Sequence, residues 1–470
     1  METGLRWIRE NTPRLVGLAQ AIWEYAEVSL KEERSAAAQA SFLEEEGFTV
    51  RQGVAGMPTA LVASFGEGRP VIGFLGEYDA LPGLSQKAVP YQEPVQAGAP
   101  GHGCGHNLLG VGSLGAAVAL RREMEANGLR GTVRYYGCPA EETLIGKVFM
   151  AKAGAFDDLD ACITWHPMSF NTTWYGSSLA MNSVRFGFYG RTAHAAAAPH
   201  LGISALDAVE LMNIGVNFLR EHIISQARIH YVITNGGGEP NVVPPYAEVW
   251  YYVRAPRREE VEEIYERVVK IAEGASLMTG ARLEVKFQTG AYEYLPNSVV
   301  TEVLEESLRK VGPIAFSEEE KSFAAELEKS LAPGQKAAVL RANNIPAEFA
   351  EMTLHEGVLP ALDQRRPTPG STDVSEVSWI TPTGQLTTAA SVIGAAGHSW
   401  QMAATAGMSI GHKAMIKAAE AMGLAGYELL TKPELLQRAK EAFLRDTGGK
   451  PYVSPLPSEM TEPVIQFGEH

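Results

Sequence analysis

Apolar positions in the first fifty residues follow helical spacing. Leu15, Leu18, Ala19 and Ile22 fall on one face, and Gly47 closes a second helix through Phe42 and Leu43. Compact apolar runs follow at 60–64, 71–75, 132–136 and 161–164, each of strand length and next to a Gly-bearing turn or a helical stretch. Strands alternating with helices predict an α/β layer with a mostly parallel sheet.

The pattern changes near Asn182. Val184, Phe186 and Phe188 alternate, as in a strand with one buried face. Ser204 opens a helix with a capping-box-like start in which Asp207 takes the place of the usual Glu. Strands are predicted at 229–233 and 247–253, and then Val261, Ile264, Tyr265, Val268, Val269 and Ala272 form one helical stripe. Leu283, Val285 and Phe287 alternate again, with Glu284 and Lys286 on the other face. The order β-α-β-β-α-β is that of a ferredoxin-like α+β sandwich. The α/β character resumes after about Asn297, and a charged helix is expected at 317–331. The reading is one larger α/β domain in two parts, 1–181 and 296–470, interrupted by an inserted domain at 182–295. The two crossings are where a hinge belongs.

The chain has 470 residues, with 40 Lys+Arg against 55 Asp+Glu, a formal charge of −15. Hydrophobic residues make up 45%, too many for a disordered chain. The acidic balance and the lack of a basic run argue against a nucleic-acid partner. Three cysteines exclude a disulfide scaffold and fit a reducing compartment. Residues 377–412 carry no Asp, Glu, Lys or Arg, yet Gly, Thr, Ser, Gln and His interrupt them, so a buried globular segment is expected and no membrane span. No apolar leader is visible. The expectation is a soluble, cytoplasmic protein.

Five stretches could carry chemistry. In GHGCGHN at 101–107, Cys104 and His106 stand two apart on a Gly-rich turn that lets both side chains converge, and thiolate with imidazole suits a first-row divalent metal. The bland alternative is a turn with a buried Cys and polar histidines. In GCPAEE at 137–142, Glu141 and Glu142 follow a strand, at the end where ligands collect in open α/β sheets. Adjacent carboxylates there need a positive partner, and a metal would leave one to ligate and one to act as base. A solvated pair opening a helix is the alternative. His166 in WHP follows another strand and is held extended by Pro167. His398 in GHSW lies in the uncharged stretch. Cys104, His106, Glu142, His166 and His398 exceed what one tetrahedral ion needs and suit two. Fifth, GRTAH at 190–194 places His194 in the inserted domain, as a surface histidine or as an imidazole that stabilises an oxyanion. Arg254 ends a strand there, as a surface ion-pair partner or as a bidentate carboxylate binder, and Asn241 shares the domain.

Two matches are discarded. Gly110–Gly115 reads GVGSLG but follows no strand, so it lacks the dinucleotide-binding context and reads as a helix face packed closely on the sheet. GMSIG at 407–411 follows a helical stretch where a nucleophile elbow needs a strand, so Ser409 reads as a packing residue. A redox role for Cys104, Cys138 and Cys162 lacks a C-x-x-C.

GEYDALPGLS at 76–85, GHGCGHNLLG at 101–110, GCPAEE at 137–142, TWHP at 164–167, AHAAAAPHLG at 193–202 and GSTDVSEVSW at 370–379 occur in that order. Together they resemble the metal-dependent amidohydrolase/aminoacylase/carboxypeptidase family of metallopeptidases over nearly the whole chain. The resemblance implies a dinuclear-metal catalytic domain holding two Mn or Zn ions, and an inserted lid domain through which a homodimer forms. It implies Cys104, His106, Glu142, His166 and His398 as ligands, Glu141 as general base, Asp79 as support just outside the metal shell, and His194 as the lid histidine, serving its own or a partner's site. Asn241, Arg254, Ser371, Thr372 and Asp373 match substrate-facing regions. The implied reaction is hydrolysis of the amide of an N-aroyl- or N-acyl-amino acid such as p-aminobenzoyl-glutamate. Other aminoacyl or auxin-type conjugates and dipeptides are the alternatives, and a non-catalytic metal-binding subunit with an active companion is the alternative of another class. Asn107 stands where many related aminoacylases have Asp, and Thr143-Leu144 stands where small glycines are expected.

Overall fold

The computed structural model describes residues 1–361 and 367–463. They form two compact units: one of residues 1–177, 294–453 and 461–463, the other of residues 178–293 and 454–460.

The first unit is built on a seven-stranded sheet. Its strands are β1 (Thr49–Gln52), β2 (Leu61–Glu67), β3 (Val71–Glu77), β4 (Gly131–Cys138), β5 (Ala161–Met168), β6 (Thr172–Trp174) and, after the insertion, β11 (Thr383–Ala389), in the order β1-β2-β4-β3-β5-β11-β6. The central strands β4, β3, β5 and β11 are mutually parallel, and β1, β2 and β6 add antiparallel margins. Every residue of β3 is buried, which is why Val71–Leu75 reads as an unbroken apolar run: a central parallel strand is covered on both faces. Helices His106–Asn127 and Ser409–Thr431 pack together, the first also against β3 and the second also against β11. Leu108, Val111, Leu114 and Val118 meet Ala414, Ala418 and Met422 in one fully buried cluster.

This packing accounts for the glycines at 110–115. A Cβ at Gly110 would lie 2.6 Å from the Glu77 carbonyl oxygen, and one at Gly112 would lie 2.7 Å from Trp165 Nε1. The motif is a close helix–sheet contact, as expected. Ser409 is the first residue of its helix, preceded by helix Trp400–Ala406 and not by a strand.

The second unit contains β7 (Ala180–Tyr189), β8 (Arg228–Asn235), β9 (Tyr246–Ala255) and β10 (Arg282–Ala291) in the fully antiparallel order β10-β7-β9-β8. Helices Ala205–Leu219 and Arg258–Thr279 lie against this sheet. Ser204 caps the first of them by accepting the Asp207 N–H at 3.1 Å. The alternating residues Val184, Phe186 and Phe188 bury against Val209, Met212, Val261 and Val268, so the period-2 and period-3.6 patterns meet in one core.

Two histidines of the first unit are held neutral. Burial presses His102 down to about 4, and its Nε2 donates to the Ile22 carbonyl at 3.0 Å. Burial likewise presses His412 down to about 4. Both bind a proton more readily unfolded, near 6.5. Between about pH 6.5 and 4 the unfolded chain therefore takes up more protons, and stability falls as pH falls. The melting temperature is expected to drop across this window, and less so in a His412→Gln chain. Equal pH profiles for the two would contradict the assignment.

Candidate active site and metal centre

Three parallel strands deliver side chains to one end of the first unit's sheet. β3 ends at Glu77, with Asp79 two residues on. β4 ends at Cys138 and runs into a single turn holding Glu141 and Glu142. β5 carries His166 near its end. Cys104 and His106 flank Gly105, whose φ of +75° lets the turn pass directly into helix His106–Asn127. His398 arrives from the loop after β11, where its backbone N–H donates to the Gly103 carbonyl at 3.0 Å and fastens that loop to the Gly-rich turn.

All five side chains expected as ligands lie in one cluster. Potential ligand atoms of Cys104, His106 and His166 fall within 4.8 Å of one another, as do those of Cys104, Glu142 and His398, and those of Glu77, His106 and Glu141. Cys104 Sγ lies 3.4 Å from His166 Nε2, and His398 Nε2 lies 3.1 Å from Glu142 Oε2. Glu141 Oε2 stands 3.9 Å from His106 Nε2.

The second contacts of the histidines decide which ring nitrogen faces inward. His106 Nδ1 donates to Asp79 Oδ1 at 2.9 Å, and His166 Nδ1 donates to the Pro167 carbonyl at 2.9 Å. Both Nε2 atoms are thereby turned to the cluster, the arrangement of metal-ligating imidazoles. His106 Nε2 and Glu142 Oε1 are buried with no hydrogen-bond partner among the described residues. A divalent cation fits these orphaned acceptors and this S/N/O donor set. Asp79 serves the cluster twice, since its Oδ2 also accepts the Glu142 N–H at 3.0 Å and the Ser29 hydroxyl at 2.9 Å.

Crowded charges shift one another. Burial alone would raise the Cys104 thiol, but His166 and His106 outweigh it and hold it well below its ordinary value. Burial would lower His106, but Cys104 and Asp79 keep it raised. Glu141 is held well above the carboxylate range by burial and by the neighbouring Glu77 and Asp373. Burial and Cys104 push Glu142 up to about 7 against the His398 hydrogen bond. Contacts with Cys104 and Glu142 bring His398 to about 10.

Three further participants are not among the site residues expected from the sequence. Lys147 is fully buried, with Nζ 2.7 Å from Glu77 Oε1 and 2.6 Å from Asp373 Oδ1. Its backbone N–H also donates to Asp373 Oδ2 at 2.8 Å. Glu32 accepts the Ala140 N–H at 2.9 Å and thereby braces the turn before the acidic pair, where Ala140 has a left-handed φ of 56°. Glu77 is the one with a usable signal, because residues two apart at a strand end share a side and Asp79 stands two residues on.

Asp373, expected to face substrate, is instead fully buried against Lys147, where pairing with a cation stabilises a carboxylate that burial would otherwise neutralise. Beside it, Thr372 Oγ1 accepts the Val374 N–H at 3.3 Å, and Ser371 Oγ is buried without a partner among the described residues. The remaining expected residues belong to the second unit. His194 is exposed, and its Nδ1 accepts the N–H groups of Ala196 and Ala197 at 3.2 Å each, which leaves its Nε2–H as a free donor. Asn241 is its neighbour, since the Asn241 carbonyl accepts the Ala195 N–H at 2.9 Å. Arg254 stacks over the Tyr252 ring at 5.4 Å.

Residues 180–277 match the family model of the peptidase dimerisation domain. Over 467 residues the chain is 43% identical to one of the subunits of the p-aminobenzoyl-glutamate hydrolase of Escherichia coli, spanning 97% of both chains. The chain belongs to the M20 family of metallopeptidases. It is also 30% identical to the Xaa-Arg dipeptidase of Homo sapiens over 457 residues, 93% of this chain and 90% of that protein. Its fold is that of a dinuclear metal-binding M20 peptidase from Bacillus subtilis, at TM-score 0.58 and 19% identity, covering 90% of this chain and 99% of the other. As an M20 enzyme, it is a metal-dependent amidohydrolase whose second unit contains a dimerisation domain. Among the described residues, no helix is long and apolar enough to cross a membrane.

Proposed function

We propose that this chain hydrolyses the amide bond of an N-aroyl- or N-acyl-amino acid, with p-aminobenzoyl-glutamate or a similar conjugate as its preferred substrate. The observation that carries the reading is the position of Glu141, within reach of His106 Nε2 and beside two groups of thiolate, imidazole and carboxylate ligand types. Cys104, His106, Glu142, His166 and His398 would hold two divalent ions, Mn or Zn. Bound there, the ions would polarise the amide carbonyl and acidify the attacking water. Cations held beside it would offset the burial and the Glu77 and Asp373 charges that otherwise keep Glu141 protonated, so that its carboxylate could take a proton from an attacking water and pass it to the departing nitrogen. Asp79 fixes the His106 ring so that Nε2 stays available. His194 offers its Nε2–H to the developing oxyanion, in its own site or a partner's, and Asn241 and Arg254 receive the substrate's amino-acid end. Ser371 and Thr372 line the approach.

The 43% identity to a hydrolase chain supports this substrate class, and the dimerisation domain supports a homodimer through the second unit. The buried free thiols Cys138 and Cys162 agree with a cytoplasmic setting. The test is turnover by the purified, metal-loaded chain, expressed without any companion, on p-aminobenzoyl-glutamate, acetyl-amino acids, an auxin-type conjugate and Xaa-Arg dipeptides. Preference for the aroyl-glutamate is expected. No turnover of any of them would leave only a metal-binding subunit.

A second expectation concerns the ions themselves. The cluster gathers a thiolate and several carboxylates, so a cation that binds only the folded chain stabilises it. Chelation should lower the melting temperature, and added Mn or Zn should restore it with about two ions per chain by elemental analysis. A melting temperature indifferent to chelator would contradict the ligand assignment.

A further inference from the structure

The loop between helices Thr12–Tyr25 and Glu33–Glu45 runs past the ligand end of β3. Val28 forms a parallel bridge with Ala80, and the Ala80 N–H donates to the Glu27 carbonyl at 2.8 Å. Ala26 and Leu30 of this loop have left-handed φ values of 44° and 63°, which non-glycine residues hold only where their surroundings fix them. The Glu27 carboxylate supplies part of that fixing, accepting the N–H groups of Arg34 and Ser35 at 3.0 and 2.9 Å where the second helix begins. Two buried side chains then reach from the loop to the supports of the cluster. Ser29 donates its hydroxyl to Asp79 Oδ2 at 2.9 Å, and Glu32 accepts the Ala140 N–H at 2.9 Å. The turn that Glu32 meets is strained: Ala140 and Leu144 are left-handed at φ 56° and 54°, and a Cβ at Gly146 would lie 1.8 Å from the Pro139 carbonyl oxygen. Glu141 therefore stands between two held N–H groups, that of Ala140 on Glu32 and that of Glu142 on Asp79.

We propose that Ser29 and Glu32 are positioning residues for the amide hydrolysis. Glu32, through the Ala140 N–H, fixes where the Glu141 carboxylate points. Ser29, through Asp79, fixes His106 and Glu142. This rests on the roles given above to Glu141 and the ligand set, and it makes the loop at 26–32 their common support. The division of labour follows from the contacts. Glu32 holds the entry of the strained turn one residue before the base. Asp79 divides its oxygens, Oδ1 taking His106 Nδ1 and Oδ2 taking the Glu142 N–H together with the Ser29 hydroxyl. Without Ser29 the carboxylate is freer to rotate, and both ligands lose their reference. Burial, with Asp79 nearby, pushes Glu32 up to about 8, so near neutral pH it is an uncharged acid whose oxygen accepts the N–H. A glutamine reproduces that acceptor. A methionine fills a similar volume and offers none.

The test measures kcat and KM for p-aminobenzoyl-glutamate at saturating Mn, and Mn affinity by competition with a chelating indicator. Glu32→Met is expected to lower kcat by about 10–100-fold with KM changed by less than about threefold, and Glu32→Gln to stay within about threefold of the parent in both. Ser29→Ala is expected to weaken Mn binding by about tenfold and to regain most of its kcat once Mn saturates. A solely structural role would lower the melting temperature of Glu32→Met and Ser29→Ala and leave kcat at saturating Mn, and the Mn affinity of the folded chain, alone. That result would overturn the proposal, as would a Glu32→Gln chain as slow as Glu32→Met. If Glu32→Met does not fold, the Mn affinity of Ser29→Ala decides. If the parent chain cleaves no conjugate, the amidohydrolase reading fails, and Mn affinity, which needs no turnover, decides whether the loop supports the ligands.

Discussion

A Glu141→Gln chain is expected to keep its metal content and lose kcat/KM by about 10²–10⁴-fold. The amide fills the same volume but cannot accept a proton. The metal-type groups keep Cys104, His106, Glu142, His166 and His398 unchanged. The stability change separates this from simple damage. Burial, Glu77 and Asp373 all oppose a charge on Glu141 in the metal-free chain, so after chelation the neutral variant's melting temperature should hold or rise relative to the parent's. Activity and metal content on the parent and variant, read beside thermal melts, check all three statements. Turnover within a few-fold of the parent would remove Glu141 from the role of base.

The second large effect is on stability. Lys147→Met removes the ammonium that bridges two buried carboxylates, Glu77 at 2.7 Å and Asp373 at 2.6 Å. Breaking a buried pair on one side costs about 3–5 kcal/mol, because the charge left behind has lost both water and partner. Urea unfolding should show that loss as a lowered midpoint. A Lys147→Met/Asp373→Asn chain should lose less than the sum of its single changes, because one stranded charge has been removed with its partner. Strict additivity would mean the two side chains do not act as a pair. Glu77 would also be freed to swing toward His106 Nε2, 3.4 Å away, so metal affinity should change in the same variant.

The metal-type residues are legible in the sequence because each sits in a short context that bends or fixes the backbone: glycines around Cys104 and His106, a strand end before Glu141, a proline after His166. Lys147 is not legible, because the stretch around it has the composition of any amphipathic helix, and only the fold brings Asp373, 226 residues away, to its ammonium. The motif around Asp373 suggests a substrate-facing carboxylate. The same chemistry serves a buried ion pair, and local sequence does not separate the two. The α/β layer and the inserted β-α-β-β-α-β unit follow from periodicity. β1, β6 and β11 do not. In β11, where every position is buried, Leu386 is the only large apolar residue, and the threonine hydroxyls are met by carbonyls, Thr387 by that of Phe170 and Thr388 by that of Ala414. A hydropathy pattern registers such a strand as polar.

The placement of β11 has a consequence for biosynthesis. It lies between β5 and β6, pairing with β5 along Thr383–Ala389 and with β6 along Gln385–Thr387. Until the ribosome has delivered those residues, more than two hundred positions after β5, the nascent chain carries an open strand edge and a short segment with nothing to pair with. Such an edge invites association between growing chains. Release of a truncated product ending before Thr383 would therefore yield aggregate in place of a smaller enzyme, and chaperone capture during translation would fall in the interval between these strands.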